Sequence, residues 1–303
     1  MNEVLEGLPR AQPAANVAGT GVPLQTRTSL WSMLARLSES PVAMIGISLI
    51  GFWVLVALFA PWITQHAFTA QDVSALANPY PSHTHILGVD HLGRDVWSRL
   101  AYGARTVLTL APTALLVAYT LGCTLGLVSA YFGGWIDHVI SRVSDLILSF
   151  PVLVLYIVLI TALGPSKFNI VLAITLGSAP GIGRIVRGLA LDLRNQEYIS
   201  AAQLRGESAL YIMLVELLPN ARGPLIVDAC LRMGYVIIKI GALGFLGLGL
   251  PPPNPEWGGM AKDATPLIFA WPHMAIFPCV AISSLVVGFN LLADGLRDIS
   301  LRD

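Results

Sequence analysis

Apolar residues gather along this chain in long runs separated by short polar stretches. The first run, Val42 to Ile63, has about the 20 residues needed to cross roughly 30 Å of hydrocarbon. Five more follow, at about Thr106–Tyr131, Leu146–Leu163, Phe168–Ile185, Leu225–Leu250 and Ala275–Leu292. The pattern predicts an all-α, polytopic membrane protein with six transmembrane helices. Ahead of the first run, residues 1–41 form a tail in which Leu30, Trp31, Leu34 and Leu37 recur at helical spacing beside Arg27 and Arg36. That spacing predicts an amphipathic helix lying at the membrane interface. The first apolar run begins too late, and is too long, for the hydrophobic region of a cleaved signal peptide. Residues 42–303 then read as one six-span domain, with an external loop at 64–105, a cytoplasmic loop at 186–224 and a second external loop at 251–274.

Six spans put both termini on one side, and the basic residues choose which. Arg10, Arg27, Arg36, Arg142, Arg184, Arg187, Arg194, Arg205, Arg222, Arg297 and Arg302 fall on one side, against Arg94, Arg99, Arg105, Lys167 and Lys262 on the other. Eleven against five predicts cytoplasmic termini. Composition agrees with a membrane protein: 55% of residues are hydrophobic and 12% charged, where a soluble domain has about a quarter charged. The 18 basic residues balance the 18 acidic ones, so no nucleic-acid partner is implied. Cys123, Cys230 and Cys279 each lie in an apolar run without paired spacing and read as small buried hydrophobes.

One helix-forming stretch does not fit a bilayer. Glu197 to Asn220, EYISAAQLRGESALYIMLVELLPN, carries Glu197, Arg205, Glu207 and Glu216 between two apolar runs and must lie in water beside the membrane. Gly206 breaks it, Ser208 is placed to cap a second helix, and Leu210, Tyr211, Leu214, Leu217 and Leu218 predict that helix's apolar face. Pro219 and Asn220 stop it. A helix, a bend and a second helix hung between two spans suit docking better than catalysis.

This stretch resembles the cytoplasmic EAA loop of permease subunits in ABC importers, through Glu197, Tyr198, Ala201, Ala202, Gly206, Ser208, Ile212, Leu218, Pro219 and Asn220. Gln203, Leu204 and Glu216 depart from the residues usual there. A second segment, HILGVDHLGRDVWSRLAYGAR from His85 to Arg105, resembles the signature between the first two spans of the second permease subunit in the dipeptide, oligopeptide and nickel importers. Gly88 and Gly93 flanking Asp90 point to a tight loop, and Arg94, Asp95, Arg99 and Arg105 to a charged external rim. His83, His85 and His91 read as solvated or as part of this motif rather than as metal ligands. Phe150-Pro151, GFLGLGLPPPNPEWGGM from Gly244 to Met260, and Asp294 to Asp298 resemble further parts of the same family.

The resemblance covers about Ser29 to the C-terminus. It implies a type I ABC importer permease fold in the bacterial cytoplasmic membrane, a heterodimer with a homologous permease, two cytoplasmic ATPase subunits that bind ATP and Mg, and an external substrate-binding protein. The chain itself shows no Walker loop, nucleophile elbow, H-E-x-x-H motif or paired carboxylates in an aqueous domain. It is therefore read as a non-enzyme with no cofactor of its own. Gly181 to Gly188, GIGRIVRG, is not a nucleotide fingerprint, because no strand precedes it.

Within the fifth run, Asp228, Arg232 and Lys239 stand at i, i+4 and i+11, close to one helical face. Ionisable groups in hydrocarbon cost about 2.5–3.5 kcal/mol each near the centre, so these must face protein or water. Asp228 and Arg232 can pair with each other, whereas Lys239 has no sequence-local partner and is a candidate for the translocation pathway, favouring cargo with a carboxylate. The expected function is uptake of small peptides, with nickel, opines or oligosaccharides as alternative cargo. The competing classes are an ion-coupled secondary transporter, with Asp228 as its coupling group, and a membrane scaffold that recruits an ATPase.

Overall fold

The computed structural model describes residues 40–300, so the predicted interfacial helix at 30–37 lies outside the described residues. Helices dominate: α1 Pro41–Ile63, α2 Val96–Phe132, α3 Gly134–Ser149, α4 Val152–Leu163, α5 Lys167–Arg194, α6 Glu197–Leu204, α7 Ala209–Asn220, α8 Arg222–Phe245, α9 Trp257–Ala264 and α10 His273–Ser300. Two isolated β-bridges, Gln71 with Arg94 and Val89 with Asp95, are the only extended pairings among the described residues.

The expectation of six apolar spans is corrected. Among the described residues, only α1, α2, α5 and α10 over His273–Asp298 are individually long and apolar enough to cross a membrane. A fifth is obtained if α3 and α4 count as one span bent by 89°. The bend falls at Phe150-Pro151: Phe150 is extended, as the residue before a proline prefers, and its N–H closes α3 on Ile147. The apolar run from Leu146 to Leu163 is therefore divided there, and the helix after the break starts at Val152. The sixth candidate, α8, has 24 residues but carries Arg222, Asp228, Arg232 and Lys239 and is not an apolar span by composition. α2 also begins ten residues before the predicted Thr106, because Asp95 caps it, accepting the Ser98 N–H at 2.7 Å.

Small residues let the long helices approach backbone to backbone. A Cβ at Gly122 would lie 2.9 Å from the Ala179 carbonyl, and one at Gly126 would lie 2.6 Å from the Gly183 carbonyl, so α2 and α5 touch along their inner halves. Gly46 of α1 meets the Gly288 backbone of α10 in the same way. The main core joins α1, α2, α4, α5, α8 and α10 around Trp53, Tyr156, Ile237 and Trp257. Trp53 donates to the Ser284 hydroxyl at 2.8 Å, and Trp257 donates to the Leu100 carbonyl at 3.0 Å while stacking edge-on against Trp53.

α3 is lashed to α5 by charge. Arg187 grips Asp137 with two bonds of 2.6 Å, Ser129 and Ser141 also donate to that carboxylate, and Arg184 pairs with Asp145. Arg142 forms no ion pair with Asp137 or Asp145 along α3; both acids reach across to another helix instead. Cys123 and Cys230 are half-buried, but Cys279 is exposed, which corrects its reading as a buried hydrophobe.

Candidate functional site

α5 ends at Arg194, and only Asn195 and Gln196 separate it from α6. α6 closes on a glycine for a backbone reason. The Gly206 N–H bonds the Gln203 carbonyl at 3.0 Å and the Glu207 N–H bonds the Ala202 carbonyl at 3.2 Å, the paired closure that requires a left-handed residue, and Gly206 has φ +77°. A Cβ there would meet nothing within 4 Å, so conformation rather than space demands glycine. Ser208 then caps α7, accepting the Tyr211 N–H at 3.3 Å. Arg205 lies between Glu207 at 3.6 Å and Glu216 at 3.5 Å.

α7 contains a π-helical stretch from Ile212 to Leu217. The wider turn places Ile212, Met213 and Leu217 together on the buried side, whereas Leu210, Tyr211 and Leu214 are exposed. The predicted apolar face is thus corrected, because it assumed a period of 3.6 where the backbone is underwound. Leu210 and Leu214 border an apolar groove of about 460 Å³ between α7 and Thr120, Cys123 and Thr124 of α2. From α6, Ile199 and Ala202 are fully buried and join Ile212 and Leu217 in a second core with Ala118, Leu127 and Ala130 of α2 and Ile182 and Val186 of α5. The unit is seated on the inner ends of α2 and α5, while Glu197, Ser200, Ala201, Gln203, Leu204 and Arg205 face outward and Tyr198 is half-buried. Pro219 is exposed at the start of the last turn, which leads through Ala221 into α8.

The charged residues of α8 have partners. Arg232 Nε donates to Asp228 Oδ2 at 2.6 Å, and Tyr119 of α2 donates to the same carboxylate. Lys239 donates to the Ser178 hydroxyl of α5 at 3.0 Å and lies 5.8 Å from the centre of the Tyr156 ring. The guanidinium of Arg232 runs beside Gly181, three residues along α5 from Ser178. Two cations of α8 thus lean on one face of α5, with Asp228 neutralising the first. Tyr119 and Tyr156 escaped the sequence reading; each is a polar group inside an apolar run, which is the signal that could have marked them.

Of the charged side chains read as a rim, Arg105 is exposed but the others are buried. Asp90, Arg94, Asp95 and Arg99 are all at most 9% exposed. Asp90 accepts the N–H groups of Leu92 and Arg94 at 2.9 and 3.0 Å and the Arg94 Nε at 2.7 Å, and Arg99 stands 3.3 Å away. Gly88 and Gly93 have φ of 80° and 75°, as the tight loop requires. Asp90 lies between Arg94 and Arg99, and Arg94 also reaches Asp263 of α9 at 3.9 Å. His85 is buried between Asp95 at 3.0 Å and Asp72 at 3.4 Å, while His83 is exposed. Among the described residues no group of three metal-binding side chains forms.

Glu256, also missed, precedes α9 and is 4% exposed. Its carboxyl fills the space that a Cβ at Gly244 or Gly249 would occupy, accepts the Leu250 N–H at 3.3 Å through Oε2, and leaves Oε1 without a partner. Burial pushes its pKa up from 4.5 to about 7, so the carboxyl is largely neutral in this seam below neutrality.

Residues 122–303 match the family described as binding-protein-dependent transport system inner membrane component, and residues 29–81 match the N-terminal transmembrane domain of oligopeptide transport permease C. The chain is 39% identical over 274 residues to a dipeptide transport system permease protein DppC of Alkalihalophilus pseudofirmus, covering 90% of each. It is 38% identical over 290 residues to the glutathione transport system permease protein GsiD of Escherichia coli O6:K15:H31, covering 95% of each. A solved structure of the MetNI methionine ABC transporter in an inward-facing conformation shares the fold, with TM-score 0.54 and 18% identity over 67% of this chain and 95% of that one.

Proposed function

Since the chain belongs to the binding-protein-dependent inner membrane components, as a C-type permease of the peptide and oligopeptide ABC importers, we propose that it forms half of an uptake pathway for small peptides driven from Glu197–Asn220. The other half is a homologous permease. Two cytoplasmic ATPase subunits supply hydrolysis with ATP and Mg, and an external binding protein delivers the cargo. The observation that carries this reading is the seating of α6 and α7: one face is built into the α2–α5 core, and the other, with Glu197, Ala201 and Leu204, is bare. A segment so mounted transmits a push to the membrane helices instead of absorbing it. The excess of Arg in the segments on its side of the chain supports a cytoplasmic position for it and for both termini.

Closure of the ATPases on ATP displaces α6 and α7, tilts α2 and α5 with them, and switches the pathway from inward-facing to outward-facing, where it receives cargo. Asp228, Arg232 and Lys239 belong to that pathway. Lys239 favours a carboxylate, which dipeptides and glutathione, the cargoes named for the two relatives, both possess. Purification of the complex tests the reading: co-isolation of ATPases whose hydrolysis rises with cargo-loaded binding protein supports it, and uptake or assembly unchanged by Gly206→Pro refutes it. Lys239→Met tests the cargo assignment, since equal losses for neutral and anionic cargo would remove it.

A further inference from the structure

The end of α8 closes on a carboxyl that has almost nothing to hold it as an ion. Gly244 and Gly249 bracket Glu256 so closely that a Cβ on either would overlap a carboxyl oxygen. Beside it, Gly258 of α9 lies against the Gly241 carbonyl of α8, with room there for hydrogen only. The seam between α8 and α9 is thus closed by backbone contact and by one acid that is 4% exposed. Of its two oxygens, Oε2 accepts the Leu250 N–H and Oε1 has no partner. The charged and titratable side chains of the surrounding elements are engaged elsewhere. Lys262 places its ammonium against Gly247, Asp90, Arg94, Arg99 and Asp263 pair among themselves, and His273 stacks on Tyr80. None of them acts on this carboxyl. A neutral carboxyl loses little in such a site, whereas an anion there lacks the donors that water would supply.

We infer that Glu256 is a proton-operated latch: protonated, it holds the turn Gly244–Leu250 against the start of α9, and on releasing its proton to water it lets that turn part from α9. The start of α9 is the fixed side, because Trp257 is fully buried and its indole is bonded to the Leu100 carbonyl of α2. The turn is the moving side, carried over Gly247 at φ +80°. The pKa of about 7 in the closed seam agrees with this, since a hydrated carboxyl in the parted seam returns to the ordinary 4.5. The parted form therefore holds the proton less tightly. Opening grows easier as pH rises from about 4.5 and levels off near 7, where the closed form is itself ionised. In the orientation proposed above this turn faces the outside, so external pH sets how firmly that end of the pathway is held. The latch itself needs neither that orientation nor the ATPases.

Hydrogen–deuterium exchange of the full-length protein in nanodiscs tests it, read by mass spectrometry at pH 5, 6, 7 and 8 and corrected for the intrinsic pH dependence of exchange. Both faces of a nanodisc share one pH, so the outcome is independent of which face is external. Peptides covering the Gly247, Leu248 and Leu250 amides should exchange well before those of α2 and α5, as a local opening does. Their protection is expected to fall about 10- to 100-fold from pH 5 to pH 7 and to change little above it. In Glu256→Gln, which keeps the shape without the charge, that fall should vanish. A flat profile in the native protein overturns the latch whether or not the variant folds. The same fall in Glu256→Gln, or exchange of the turn in step with α2 and α5, overturns it as well.

Discussion

Glu256→Gln should flatten the dependence of stability on pH between about pH 5 and 7. In the packed seam the carboxyl is held neutral, with its pKa raised from the ordinary 4.5 to about 7 by burial. A carboxyl raised in the folded state binds protons more tightly there than when unfolded, so its favourable contribution is complete below about 4.5 and is lost as pH climbs to about 7. At 1.36 kcal/mol for each tenfold change in proton affinity, the loss across that window is roughly 3 kcal/mol. No ion pair offsets it, and the carboxyl's hydrogen bond is the single N–H of Leu250. Melting of the purified protein in nanodiscs at pH 5, 6, 7 and 8 supplies the measurement. The protein should lose stability relative to Glu256→Gln as pH rises, by an amount equivalent to several degrees, with most of the separation developed by pH 7. Parallel curves for the two proteins would show that the carboxyl is already ionised in the seam and that burial does not control it.

Gly126→Ala forces a methyl against the Gly183 carbonyl and should destabilise by about 1–3 kcal/mol, seen as a lower melting temperature in detergent. Asp137→Asn removes the charge that Arg187 grips with two bonds and should cost about 1–3 kcal/mol; a cycle with Arg187→Gln checks it, because the double variant should lose less than the sum. Trp257→Ala empties the site against Trp53 and removes the indole bond to the Leu100 carbonyl, with an expected loss of about 3–5 kcal/mol, whereas Trp257→Phe should lose only about 1–2 kcal/mol; unfolding in denaturant separates them. Gly206→Ala should cost about 1–2 kcal/mol in melting, because the added methyl meets open space and the left-handed backbone alone opposes it.

Where the sequence spoke through apolar length it predicted well: α1, α5 and α10 lie close to the runs that announced them, and the bend at Gly206 follows from a residue type whose backbone freedom is local. It predicted poorly where partners come from far along the chain. Nothing in the spacing of Asp137 and Asp145 points to Arg187 and Arg184, some 40 to 50 residues away. The external motif was legible as a motif, but its charge was assigned to water, since burial of Asp90 and Arg99 depends on α9 folding over them. The face of α7 was misplaced for a different reason: a π-helical turn changes the period, and no residue type marks its position. Of the candidate site, the α6–Gly206–α7 arrangement was visible in advance, whereas the polar partners of α8 were not.

The charged seam of α8 bears on how the chain enters the membrane. Taken alone, this helix would carry Asp228, Arg232 and Lys239 into lipid, at about 2.5–3.5 kcal/mol for each near the centre. Tyr119 and Ser178, which lighten that burden, belong to helices made earlier in synthesis. Biogenesis therefore has a required order: α2 and α5 settle first and offer hydroxyls, and α8 follows against them as a latecomer that the bilayer by itself would refuse.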